Sequence, residues 1–241
     1  MGAPASAYPG RAVVDLDAIR ANTAELRRRA GQAELMGIVK ANAYGHGLVP
    51  SARAALAGGA TWLGAAQLTE ALALRAAIPG PPILAWLFAP GAPLREAVRA
   101  GIDLGVASDW ALDAVGRAAR AEGVQARVHL KIDTGLGRSG VPPEAWEAFV
   151  GRALRAEADG LVRALGCWSH FAYADAPDHP TVRAQKEVFR RAVETAEDLG
   201  ARFEVRHLAN SAALVTDAGA NFDLVRPGLA LYGLSPIPDI A

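Results

Sequence analysis

The chain has 241 residues, 51% of them hydrophobic, one cysteine, and a formal net charge of zero. That length and apolar content supply the core of a sizeable globular domain, and the charge balance argues against nucleic acid or an anionic membrane as partner. Cys167 cannot close an internal disulfide and reads as a core residue of a reduced, cytoplasmic protein; no apolar run reaches the length of a membrane span.

Met1 to Arg11, rich in Pro and Ala and lacking a hydrophobic signal region, reads as a flexible leader to one domain over residues 12–241. A helix follows over Asp15 to Ala30, with Asp17 as its expected cap. Short apolar runs then recur at Leu35–Val39, Thr61–Ala66, Ile83–Leu87, Leu104–Ala107, Ala126–Ile132, Ala164–His170, Val205–Ala209 and Leu224–Tyr232. Segments of helical period separate them: Ser51–Leu56, Leu68–Ala77, Leu94–Ala100, Trp110–Ala121, Pro143–Ala156 and Pro180–Leu199. Strand and helix alternating about eight times over this length predict an α/β fold, a closed parallel (β/α)8 TIM barrel. An open doubly wound sheet is the alternative.

A barrel builds its site at the C-terminal ends of its strands, so functional groups are expected there. Lys40 ends the first run, inside Val39-Lys40-Ala41-Asn42-Ala43-Tyr44-Gly45-His46-Gly47. An amine in apolar surroundings loses stabilisation of its charge and becomes the neutral nucleophile that a Schiff base requires. Arg138 follows the fifth run, His170 ends the sixth, Asn210 and Ser211 end the seventh, and Arg226 lies in the eighth beside Pro227 and Gly228. Each alone has an ordinary structural explanation: a core histidine, a helix cap, a rim charge.

Gly135-Leu136-Gly137-Arg138-Ser139-Gly140 spells G-x-G-x-x-G after a strand, but Val141-Pro142-Pro143 interrupts the helix that a dinucleotide fingerprint requires. The glycines are expected instead to let Arg138 and backbone amides converge on a small anion. No His or carboxylate spacing suggests a metal site, and no hydrolase triad is visible.

The motifs VVKANAYGHG, KIDTGLGRSG, SHFAYAD, HLANSAA and VRPGLALYG together resemble the N-terminal barrel domain of bacterial alanine racemases, fold-type III enzymes that use pyridoxal 5'-phosphate (PLP). The resemblance runs from about Ala12 to Ala241. It implies an isomerase that interconverts L- and D-alanine and supplies D-alanine for peptidoglycan. Lys40 would bond to the cofactor and act as base on the D-alanine face. Tyr44, Ser211, Gly228 and Leu229 would form the phosphate cup, with Asn210 beside it. Arg226 would face the pyridine nitrogen, backed by His207. Arg138 would touch the cofactor phenolate and the substrate, oriented by a carbamylated Lys131. Trp86, where the family often has an aliphatic residue, would line the ring pocket. His170 would join the network leading to the acid/base group on the opposite face. In the family that second base is a tyrosine of a C-terminal β domain, contributed across a homodimer interface; this domain is not part of the 241 residues. A single-barrel PLP-binding homeostasis protein and a non-catalytic barrel or interaction module are the other readings.

Overall fold

The computed structural model describes residues 10–237. The expected leader falls mostly outside these residues. Eight parallel strands form one sheet in the order β7-β6-β5-β4-β3-β2-β1-β8, wrapped by helices: a (β/α)8 barrel, as expected. The strands are β1 (Glu34–Ile38), β2 (Trp62–Gln67), β3 (Ile83–Leu87), β4 (Asp103–Val106), β5 (Ala126–Lys131), β6 (Val162–Trp168), β7 (Val205–His207) and β8 (Leu224–Val225). Between β7 and β8 the backbone bonds flank the short last strand: Asp223 N–H donates to Arg206 O at 3.0 Å and Arg226 N–H to Ala209 O at 2.9 Å.

The helices are α1 (Leu16–Ala30), α2 (Leu48–Ala57), α3 (Leu68–Ala77), α4 (Leu94–Arg99), α5 (Asp109–Glu122), α6 (Pro143–Ala158), α7 (Pro180–Asp198) and α8 (Ser211–Thr216). Asp15, not Asp17, caps α1: its carboxylate accepts from Ala18 N–H at 3.0 Å, and Asp17 sits in the first turn. The run Leu224–Tyr232 is not one strand. Pro227 offers no N–H for pairing, and after two strand residues the chain leaves the sheet and forms a 3-10 turn over Leu229–Tyr232.

Both faces of the strands are buried, which is why their sequences read as continuous apolar runs rather than alternating ones. Outward residues such as Leu35, Leu63, Ile83, Leu104, Val128 and Leu130 pack under the helices. Inward residues divide by strand. Met36, Ile38, Trp62, Leu84, Leu165, Val205 and Leu224 make an apolar filling. Asp103, His129, Lys131, His207 and Arg226 add a buried polar group from β4, β5, β7 and the end of β8. In β6 an extra residue, Leu165, shifts the register so that Val128 pairs Ala164 while His129 pairs Gly166.

Candidate active site

Lys40 stands two residues beyond the end of β1 and opens a single left-handed turn, Lys40–Tyr44. Ala41, Asn42, Ala43 and Tyr44 all have φ between 53° and 56°. Such backbone costs roughly 1–2 kcal/mol per non-glycine residue and persists only where surrounding bonds over-determine it. Here Asn42 N–H donates to the Glu70 carboxylate at the head of α3, 3.1 Å away, and the Asn42 side-chain oxygen accepts from Leu48 N–H at 2.8 Å. The turn directs Lys40 and Tyr44 into the same cavity.

That cavity, about 730 Å³ at the C-terminal mouth of the barrel, is lined by Lys40, Tyr44, Trp86, Lys131, Arg138, His170, Asn210, Ser211, Arg226, Gly228 and Leu229, together with Trp168 and others. It gathers every site residue expected from the sequence except His207, which lies beneath Arg226. His170 lies two residues past β6, Asn210 and Ser211 three and four past β7 at the head of α8, and Arg226 one past β8, whereas Trp86 and Lys131 belong to β3 and β5 themselves.

One wall is a cup. The Ser211 hydroxyl accepts from Gly228 N–H at 2.9 Å and from Ala230 N–H at 3.3 Å, tying the start of α8 to the turn after β8. The Tyr44 hydroxyl lies against Gly228 in space that a Cβ would fill. Behind it, Tyr232 stacks with His46 at 4.6 Å and donates to Ile38 O at 3.1 Å. Asn210 lines the cavity while its side-chain oxygen caps α8 by accepting from Ala213 N–H at 3.1 Å.

Charge is distributed unusually. Arg226 is buried, and burial pulls its guanidinium down to about 9. It donates to Ser169 O at 2.7 Å, Leu208 O at 3.2 Å and His207 Nδ1 at 3.1 Å. His207 is fully buried beside that cation and is held far below the ordinary histidine value. Burial, then the Arg138 cation, lowers Lys40; burial, then Arg138 and Arg226, brings Lys131 down to about 8. Lys131 donates to Ser139 Oγ at 2.9 Å, beneath the loop that bears Arg138. Burial and the four cations Arg226, Arg138, Lys131 and Lys40 push His170 down to about 3, so its ring enters the cavity uncharged.

The glycine loop departs from expectation. The Asp133 carboxylate accepts from the amides of Gly135 and Leu136 at 2.9 Å each and from Gly137 N–H at 3.0 Å. These amides therefore do not converge on a ligand. A carboxylate two to four residues upstream outcompetes one and fixes the loop, leaving Arg138 as its contribution to the cavity. Sequence reasoning also missed Gln185 of α7, which donates to Thr134 Oγ1 at 3.0 Å and His170 O at 3.1 Å and accepts from Ala172 N–H at 2.9 Å, clamping the loops after β5 and β6 together. It missed His129 and Asp103 as well. Arg127, His129 and Lys131 alternate along β5, and that period of two inside an apolar run was the available signal.

The mouth of a parallel barrel thus gathers a lysine lowered by burial, a buried arginine, and a cup built from the Tyr44 and Ser211 hydroxyls and the backbone at Gly228. The sequence matches the family profile described as alanine racemase, N-terminal domain, over residues 14–236, and the chain belongs to that family. It is 59% identical over 232 residues to an alanine racemase of Beutenbergia cavernae, covering 96% of this chain and 61% of that protein. A second alanine racemase, of Streptomyces coelicolor, is 59% identical over 235 residues, covering 95% and 60%. The crystal structure of alanine racemase from D-cycloserine-producing Streptomyces lavendulae superposes with a TM-score of 0.92 at 54% identity, over 94% of this chain and 59% of that one. The chain thus spans about three-fifths of the length of the relatives it matches. Among the described residues no helix is long and apolar enough to cross a membrane, and no His, Cys, Asp or Glu group could hold a metal ion.

Proposed function

We propose that this chain is the cofactor-bearing barrel of a PLP-dependent alanine racemase, an isomerase that interconverts L- and D-alanine. The observation that carries the reading is the convergence of Lys40, Arg226 and the Tyr44–Ser211–Gly228 cup on one cavity. The residues fit the cofactor: an amine below its ordinary pKa for the aldehyde, hydroxyls and the backbone around Gly228 and Leu229 for the phosphate, and aromatic walls in Trp86 and Trp168, whose rings meet at 6.2 Å. When bound, PLP supplies the electron sink that renders the Cα hydrogen of alanine acidic.

Lys40 would hold the cofactor through its amine, and the same amine would remove or return the Cα proton on the D-alanine face. Arg226 has only donors to offer, so a ring nitrogen held against it would stay unprotonated, and the cofactor would supply moderate electron withdrawal that favours return of the proton to Cα. Arg138 would hold the cofactor's phenolate oxygen and reach the substrate region. Lys131, neutral above about pH 8, takes up carbon dioxide as a carbamate with loss of a proton, and the new anion steadies Arg138. His170 and Asn210 position groups at the cavity wall. The base for the L-face is supplied by a tyrosine of a C-terminal β domain in a homodimer, outside these 241 residues.

The test is to load the chain with PLP and incubate each enantiomer of alanine in deuterated water. Exchange of the Cα hydrogen of D-alanine with little inversion supports the proposal. Exchange of neither enantiomer by PLP-loaded protein, or exchange of L-alanine alone, contradicts it.

A further inference from the structure

Arg226 is a buried cation that touches no carboxylate among the described residues. A guanidinium has only donors, so the His207 Nδ1 that meets it must be bare. His207 is kept uncharged by its burial, so its single proton sits on Nε2. That nitrogen lies 2.8 Å from His129 Nδ1, which therefore accepts. The remaining nitrogen of His129, Nε2, then carries the proton and points to Asp103 Oδ2 at 3.2 Å. Asp103 also receives Arg127 through Nε at 2.6 Å and Nη2 at 3.1 Å. The bonds run one way across the barrel interior, from β8 through β7 and β5 to β4, from cation to carboxylate.

We infer that Asp103 is a positioning residue that fixes the direction of this relay at the end opposite Arg226. Two neutral imidazoles in series can carry their protons in either sense, and they switch together. In the reverse sense, His207 would turn an N–H against the N–H of Arg226. A carboxylate at the far end accepts only, so it admits one sense and excludes the other. Burial opposes the charge of Asp103, yet the His129 and Arg127 bonds hold its carboxyl below the ordinary value.

The packing agrees with a relay whose rings are fixed. Trp168 lies parallel to His207, 2° between planes at 5.7 Å, and Trp62 meets His129 edge-on at 5.7 Å. The β6 bulge puts Gly166 opposite His129, where any Cβ would collide with the imidazole. None of Asp103, His129 and His207 lines the cavity; His207 touches two residues that do, Arg226 by a hydrogen bond and Trp168 by stacking. The use of the relay, holding Arg226 toward a cofactor ring, rests on the proposed function; its direction does not.

Nitrogen NMR of the cofactor-free chain labelled at its five histidines reads the direction. In the unaltered protein, His129 and His207 should each show a bare Nδ1 and a protonated Nε2. Asp103→Leu should move both nitrogens of each ring toward averaged shifts. Asp103→Asn, nearly isosteric, has one oxygen for which His129 and Arg127 compete, so it should average them too. Adding Arg127→Leu to Asp103→Asn should restore the single pattern, because the oxygen is then free for His129. A structural role alone predicts no such restoration. If Asp103→Leu and Asp103→Asn both keep the original pattern, Arg226 alone orients the histidines and the inference is overturned.

Discussion

The Tyr44 hydroxyl rests against Gly228 so closely that the missing Cβ is what makes room for it. Two segments nearly two hundred residues apart thereby share one wall of the cup. Gly228→Ala should displace the phenol and weaken PLP binding by about tenfold, on the order of 1.4 kcal/mol. Pyridoxal without the phosphate should bind both proteins alike. Equal PLP affinity in an absorbance titration would remove Tyr44 and Gly228 from the phosphate site.

Lys40 lies below the ordinary lysine range because of burial and then the Arg138 cation, while Glu70 works in the opposite direction. A lower pKa leaves more neutral amine at a given pH, so covalent capture of PLP should rise with pH through a midpoint below that of a free lysine. Arg138→Leu removes a repulsion and should shift that midpoint to higher pH. Glu70→Gln keeps an acceptor for the Asn42 amide but removes an attraction, and should shift it lower. Shifts of the two variants in the same direction would contradict the assignment.

Arg226→Glu should let the ring nitrogen of bound PLP take up a proton, because a carboxylate accepts a hydrogen bond where the guanidinium could only donate. With alanine added, a long-wavelength absorbance band and faster transamination should appear. A spectrum unchanged from that of the unaltered protein would show that Arg226 does not face the ring.

The barrel was legible because strands buried on both faces leave apolar runs that helical segments separate, and the mouth residues were legible because they follow those runs. What escaped was of three kinds. Ala41, Ala43 and Tyr44 give no sign of left-handed backbone, since these residue types disfavour it; of the four only Asn42 tolerates it, and the bonds of Asn42 to Glu70 and Leu48 help to hold the turn. The amides of the glycine loop seemed available to an anion, but Asp133, two residues before Gly135, satisfies them. Asp103 and His129 belong to different strands, and nothing local to either shows that the register of β4 against β5 sets them 3.2 Å apart.

The central claim is that Lys40 is the amine that holds PLP. The chain has three lysines, and only their surroundings distinguish them: Lys186 is paired with Asp217 at 2.6 Å, and Lys131 is tied to Ser139 under the Arg138 loop. Borohydride reduction in the presence of PLP, followed by peptide mapping, tests the claim most directly. The label should appear on Lys40 and vanish in Lys40→Ala; label on Lys131 or Lys186 in the unaltered protein would contradict it.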